Sequence, residues 1–270
     1  MRHALLFSLL CAGVFACSKR PATGNEPGGP AGGGLSYGDS ILYLKSASYT
    51  VRPNTGAGQY SAFPDNLLID PATGTITVTN IGKANESQTG IRYRIRYQPA
   101  SGPADSTYIV LGGINYLDRI YNFAQHDTLM RPLYNASLGR LLPPGAYGIQ
   151  PDARLAIDPA TGVINLKECM RRGMFDLPVE NGEWEEVTVR YKTRDGSNEV
   201  TNSIDVAIYY YDSMADIPSN VSVAMRAHQA QILGVAQTPI PPTTGPIDTD
   251  LPDNLSLTKP RPPCIIVIPH

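Results

Sequence analysis

The sequence predicts an all-β protein: two tandem β-sandwich units, then one short helix and an extended, proline-rich tail. Three observations lead there. Glycine (25), proline (24) and tyrosine (15) are abundant, tryptophan occurs once, and only 17% of residues are charged. That mixture fits short strands joined by many turns better than long helices. An octapeptide nearly recurs, as Ile69-Asp-Pro-Ala-Thr-Gly-Thr-Ile76 and Ile157-Asp-Pro-Ala-Thr-Gly-Val-Ile164, 88 residues apart. Finally, two segments alternate strictly. Ile91, Tyr93, Ile95 and Tyr97 interleave with Arg92, Arg94 and Arg96, and Val187, Val189 and Tyr191 interleave with Thr188, Arg190, Lys192 and Arg194. Period 2 is the signature of a strand with one buried face.

Residues 1–16 read as a signal peptide. Arg2 and His3 make a short basic start, and Ala4 to Val14 is almost wholly apolar. That run is shorter than the about 20 residues a spanning helix needs. It ends in Val14-Phe15-Ala16-Cys17, which resembles a lipobox, where bacterial signal peptidase II cuts before a cysteine that becomes acylated. Phe15 departs from the pattern, since a small residue is usual there. The resemblance implies lipidation of Cys17 and a membrane partner reached through acyl chains. Residues 17–34 follow as a tether: SKRPATGNEPGGPAGGG holds no apolar residue larger than alanine or proline. Such a segment cannot bury enough surface to offset the entropy of ordering it.

The first sandwich unit is placed at 35–115 and the second at 116–212. In each octapeptide, proline fixes φ early in a turn and glycine supplies positive φ where the strand restarts, so each predicts a tight hairpin. The echo continues downstream. Ile91-Arg-Tyr-Arg94 answers Val189-Arg-Tyr-Lys192, and Ser106-Thr-Tyr-Ile-Val-Leu111 answers Ser203-Ile-Asp-Val-Ala-Ile208, at offsets of 98 and 97. The second copy has therefore gained about ten residues, placed in a polar, glycine-containing loop around Cys169 to Glu183.

A hairpin IDPATGVI, then an alternating strand, Arg194-Asp195-Gly196 and a last apolar strand ending near Asp212 resembles the second half of a cadherin-like or bacterial Ig-like repeat. The resemblance covers roughly 155–212, and more faintly 67–114. It implies a β-sandwich. It stops short of calcium, because the chain lacks a clear Leu-Asp-Arg-Glu after the hairpin and an Asp-rich linker between units. Asp70 and Asp158 read as turn-capping residues. The whole chain also resembles uncharacterised lipoproteins of Bacteroidetes-type bacteria. Such bacteria modify exported proteins at Asp-Ser/Thr followed by an apolar residue or threonine, and the matches here imply O-glycans on Ser40, Ser106, Thr128 and Ser213. Surface-exported lipoproteins of that group often carry acidic residues after the lipidated cysteine. Lys19 and Arg20 instead favour the periplasmic side of the outer membrane over the cell surface.

Residues 213–234 predict a short helix, with Ser219 or Asn220 as N-cap, Gly234 as stop, and Val221, Ala224, Met225, His228, Ile232 and Leu233 on one face. Residues 235–270 predict an extended arm rich in proline. It ends in Cys264-Ile-Ile-Val-Ile268, a β-branched run expected to add a strand to one of the chain's own sheets, or else to a partner. With Cys11 removed and Cys17 lipidated, Cys169 and Cys264 remain, and an oxidising compartment would let them pair.

The chemistry expected is non-catalytic. No HExxH, P-loop, CxxC or dinucleotide motif occurs. Four histidines leave little for a metal site, and a net charge of −2 gives no general attraction to nucleic acid. Glu183, Glu185 and Glu186 beside Trp184 read as a solvated strand start. No cofactor and no metal site are expected. The sharpest candidate is a basic stripe on two matching strands, Arg92, Arg94 and Arg96 with Arg190, Lys192 and Arg194, suited to an anionic ligand if both face one way; otherwise it is a charged strand face that deters edge pairing. The leading reading is an envelope lipoprotein module that binds or scaffolds an envelope partner, a protein or a glycan, and the alternatives are a glycan-binding surface lipoprotein or an enzyme built from scattered acids.

Overall fold

The computed structural model describes residues 34–79, 88–234 and 263–269. Cys17, the signal segment, the tether to residue 33 and most of the proline-rich arm lie outside them. The first half contributes β1 (Ile41–Tyr43), β2 (Tyr49–Val51), β3 (Gln59–Phe63), β4 (Ile76–Val78), β5 (Ile91–Gln98) and β6 (Asp105–Gly112). They form a four-stranded sheet, β1-β6-β5-β3, and a two-stranded ladder, β2-β4. Leu42, Ile91, Tyr93, Ile95, Ile109 and Leu111 of the sheet share one buried core with Ile76 and Val78 of the ladder. The alternation in β5 is what allows this: every second residue is apolar, so one face closes on the ladder and the other is open at Arg94 and Arg96, though not at Arg92 and Val110.

The second half contributes β7 (Ile114–Tyr116), β8 (Arg119–Asn122), β9 (Leu129–Met130), β10 (Pro132–Tyr134), β11 (Gly145–Tyr147), β12 (Ile164–Asn165), α1 (Leu166–Arg171), β13 (Trp184–Thr193), β14 (Asn202–Tyr210), α2 (Ser219–Leu233) and β15 (Cys264–Ile268). A five-stranded sheet runs β11-β13-β14-β15-β8, flanked by the ladders β10-β7 and β12-β9. Strand β15 lies parallel to both neighbours. All five of its residues are at most 1% exposed. Ile265 and Val267 enter the core with Val187, Val189, Tyr191 and Val206. Cys264, Ile266 and Ile268 point the other way, where Val221 and Met225 of α2 and Ala207 and Tyr209 of β14 cover them. Burial on both faces explains an uninterrupted apolar run where β13 alternates.

The repeated octapeptides fold alike. The Asp70 carboxylate accepts from the N–H groups of Ala72 and Thr73 at 2.9 and 2.7 Å. Asp158 accepts from Ala160 and Thr161 at 2.8 and 3.0 Å. Gly74 and Gly162 adopt φ of 68° and 65°. A buried tyrosine donates to the carbonyl of each glycine: Tyr37 to Gly74 at 2.7 Å and Tyr116 to Gly162 at 2.8 Å. Both aspartates therefore act as turn caps, and backbone donation holds their carboxyls below the usual carboxylate range.

Three expectations are corrected. The segment after the second hairpin is not merely a polar loop. Asn165 caps α1 by accepting from the Glu168 N–H at 3.1 Å, and Cys169, Met174 and Phe175 enter the core. The helix α2 begins at Ser219 with Pro218 at the cap position; Gly234 ends it in the left-handed conformation, as expected. Cys169 and Cys264 are buried thiols not bonded to each other. Period 2 in β15 turns Cys264 toward α2, while Cys169 faces the opposite core.

Candidate functional site

The open face of the first sheet is set by register. Opposite Arg94 on β5 stand Phe63 on β3 and Tyr108 on β6; opposite Arg96 stand Ser61 and Ser106; opposite Gln98 stands Gln59. Residues directly opposed across antiparallel strands share a face. Two rows result, Phe63–Arg94–Tyr108 and Ser61–Arg96–Ser106. Both aromatics remain open, Phe63 at 37% and Tyr108 at 46% exposure. Both arginines are exposed, whereas Arg92 is half-buried. The stem of Arg92 lies against Gly234, where an added Cβ would run into it. A cleft of about 460 Å³ opens at the edge of β3, lined by Gln59, Tyr60, Ser61, Pro71, Arg96 and Gln98.

The arginines of this face differ from five others in the molecule and resemble Arg52, Arg131, Arg190 and Arg226, which also form no ion pair among the described residues. Arg119, Arg154, Arg171, Arg172 and Arg194 each have a carboxylate oxygen within 3.2 Å. Among the described residues, none forms an ion pair with Arg92, Arg94 or Arg96. Three such guanidinium groups on one strand face are a concentrated positive field beside two aromatic rings.

The second half of the expected stripe has other surroundings. Arg190 and Lys192 oppose Ser203 and Ala146, and Arg194 pairs with Glu199 at 3.2 Å. These residues lie in the five-stranded sheet, so no register joins them to β5. The carboxylates near Trp184 disperse too: Glu185 faces Arg154 at 3.0 Å, and Glu183 accepts from the Glu180 N–H at 3.0 Å. Of the expected glycan sites, Ser40, Ser106 and Ser213 are exposed and Thr128 is half-buried. The Ser213 hydroxyl already donates to Asp216 at 2.6 Å, whereas Ser106 stands in the row beside Arg96.

Sequence reading missed Phe63, Tyr108 and the cleft. Alternation in Ser106–Leu111 signalled the exposure of Tyr108, but nothing in sequence gave its partner across the sheet. It also missed a buried pair. His228 on α2 meets Asp118, between β7 and β8, at 2.7 Å, with side chains 2% and 0% exposed. The same Asp118 oxygen accepts from the Cys264 N–H at 3.1 Å, and Gln229 donates to the Asp118 carbonyl. Helix, loop and terminal strand are thereby tied at one carboxylate.

The two halves also meet across polar groups. The Tyr191 hydroxyl is 2.8 Å from that of Thr89 and accepts from the Ile114 N–H at 3.1 Å. Lys45 donates to the Gly196 carbonyl, and within the second half Tyr134 donates to Asp195 at 2.8 Å. Burial pushes the Tyr191 hydroxyl up to about 12. Among the described residues no group of three or more His, Cys, Asp or Glu is placed to hold a metal ion, and no helix is long and apolar enough to cross a membrane.

No protein-family profile and no curated protein matches the chain. Similar solved structures include protocadherin gamma B7 extracellular cadherin domains 1–4, at 12% identity over 69% of this chain and 56% of that one, TM-score 0.21. Mouse cadherin-23 EC22–24 shares 17% over 65% of each chain, TM-score 0.21. Murine CEACAM1b shares 7% over 63% of this chain and 96% of that one, TM-score 0.20. The chain thus spans little more than half the length of the protocadherin fragment. TM-scores near 0.2 carry no common arrangement, and the all-β class rests on the strands themselves.

Proposed function

We propose that the chain is a lipid-anchored, non-catalytic module of the cell envelope that binds or scaffolds a partner through the open face of its first sheet. The observation that carries it is the pair of rows on β5, where Arg94 and Arg96, which form no ion pair among the described residues, stand between exposed Phe63, Tyr108, Ser61 and Ser106. A strand face kept only for solubility needs no flanking aromatics. A binding face gains from arginine and aromatic side chains together. The anchor is supported by Val14-Phe15-Ala16-Cys17 and the glycine-rich tether, which would let the folded body range near a bilayer. Lys19 and Arg20 support the periplasmic side of the outer membrane.

One experiment tests both parts. The full chain, made with its own N-terminus in a Gram-negative host, carries a photo-crosslinking amino acid at Tyr108 or, as control, at Ala160. The expected result is a mature N-terminus at acylated Cys17, loss of the protein from the membrane fraction in Cys17→Ser, and a discrete crosslinked species from position 108 alone. A chain in the aqueous fraction with its cysteine unmodified would remove the anchor, and equal labelling from both positions would remove the binding face.

A further inference from the structure

We infer that this face binds an acidic polysaccharide, with one carboxylate-bearing sugar seated in the cleft beside Arg96. The inference rests on the binding face proposed above and names its ligand class. Four features define the ligand. Arg94 and Arg96 are two residues apart on one strand face, so their guanidinium groups repeat at about 7 Å. That spacing suits a chain bearing repeated negative charges better than a single small anion. Guanidinium groups that form no ion pair among the described residues offer bidentate hydrogen bonds, the geometry a carboxylate accepts.

The remaining two features select sugar over phosphate or membrane. Arg94 is bracketed by exposed Phe63 and Tyr108. Flat aromatic faces receive the apolar C–H face of a pyranose ring, with a polar group left free at the rim of Tyr108. Arg96 is bracketed by hydroxyls, Ser61 and Ser106. The amides of Gln59 and Gln98 and the ring of Pro71 complete the cleft of about 460 Å³. Gln98 already donates to the carbonyls of Pro99 and Gly102 at 3.3 Å, so it offers its amide oxygen, an acceptor for a sugar hydroxyl. A phosphate site would gather donors at one point, whereas here acceptors and donors are spread along a groove. A bilayer would be met by a contiguous apolar patch, whereas Phe63 and Tyr108 flank the Arg94 guanidinium and lie beside the hydroxyls of Ser61 and Ser106.

The test uses the full chain in non-ionic detergent, made in a host that leaves Ser106 unmodified. Binding to immobilised polygalacturonate is compared with binding to neutral galactan and to phosphatidylglycerol vesicles. The expected result is salt-sensitive binding to polygalacturonate alone. Arg94→Gln and Arg96→Gln should each weaken it about tenfold or more, the loss of one charge-assisted contact. Arg96→Lys should recover only part, because lysine keeps the charge without the bidentate fork. Phe63→Ala and Tyr108→Ala should weaken it, and Arg190→Gln should not. These side chains are exposed, and unchanged thermal unfolding shows that each variant folds. Equal binding to galactan, or binding that survives Arg94→Gln with Arg96→Gln, overturns the inference. Binding to vesicles in place of the polymer assigns the face to lipid and overturns it as well. If position 108 still crosslinks a partner while no polymer binds, the sugar assignment fails and the binding-face reading stands.

Discussion

Asp118 shows what a single residue can hold. Its carboxylate, fully buried, accepts from His228 on α2 and from the Cys264 N–H of β15. Removing the carboxylate leaves buried donors without an acceptor, which costs about 1–3 kcal/mol for each group left unsatisfied. Asp118→Ala is therefore expected to lower the thermal midpoint sharply, with Asp118→Asn intermediate because the amide oxygen still accepts. An unchanged midpoint in Asp118→Ala would show that the tie is incidental. Nothing in the sequence announces it, because His228 is 110 positions away and Cys264 is 146. At Asp70 and Asp158 the reading is local and was legible. Backbone donors hold both carboxyls low. A lowered folded-state value means the stabilisation is complete above the unfolded value, about 3.9, and is lost as pH falls through the folded value. Asp70→Asn with Asp158→Asn should keep the fold, since asparagine accepts the same bonds, and should flatten the acid limb of stability against pH. An acid limb identical to wild type would show that other carboxylates set it.

At the scale of elements, the strands that alternate were legible and those buried twice were not. In β5 and β13 the polar half of the pattern marks the open face. In β15 every position is apolar, so the sequence gives a strand and leaves its orientation undetermined; a β-strand buried on two sides carries no periodic mark. The Cys169–Cys264 expectation failed for that reason. Helix α1 was missed because six residues, Leu166–Arg171, are too few for a helical period to emerge. The candidate face was half legible. The arginines follow from β5 alone, but Phe63 and Tyr108 join them only through register, which depends on three strands at once. The duplicated hairpins allow a matched comparison. A Cβ on Gly74 would run into the Tyr60 ring, while one on Gly162 would meet Pro132 and Tyr147 at 3.2 Å. Both substitutions force an L residue to positive φ, so Gly74→Ala and Gly162→Ala should each cost about 1 kcal/mol or more. Gly74→Ala should cost more, as read by denaturant midpoints. The reverse order would mean that the Tyr60 ring yields freely.

At the scale of the whole molecule, two pieces distant in sequence close the second half. Helix α2 covers the outer face of the five-stranded sheet, and its end reaches Arg92 of the first. Strand β15 fills the space between β14 and β8 with five buried side chains, of which at least four are large and aliphatic. Deleting residues 264–268 should leave two unpaired edges beside an uncovered apolar layer, so the shortened chain is expected to aggregate or lose cooperative unfolding. A soluble, cooperatively unfolding deletion variant would show that the sheet closes without it.

The position of β15 also has a consequence in time. A ribosome makes residues 264–268 after all the other strands described, yet they belong in the interior of the sheet. Until they emerge, β8 and β14 have no common neighbour and the Asp118 carboxylate lacks one of its donors. The strands of the first half end at residue 112, so they can pair while synthesis continues, although Leu133 and Ile232, which share their core, are added later. The second sheet must wait for this interior strand, so its neighbours β14 and β8 are made long before the one that joins them.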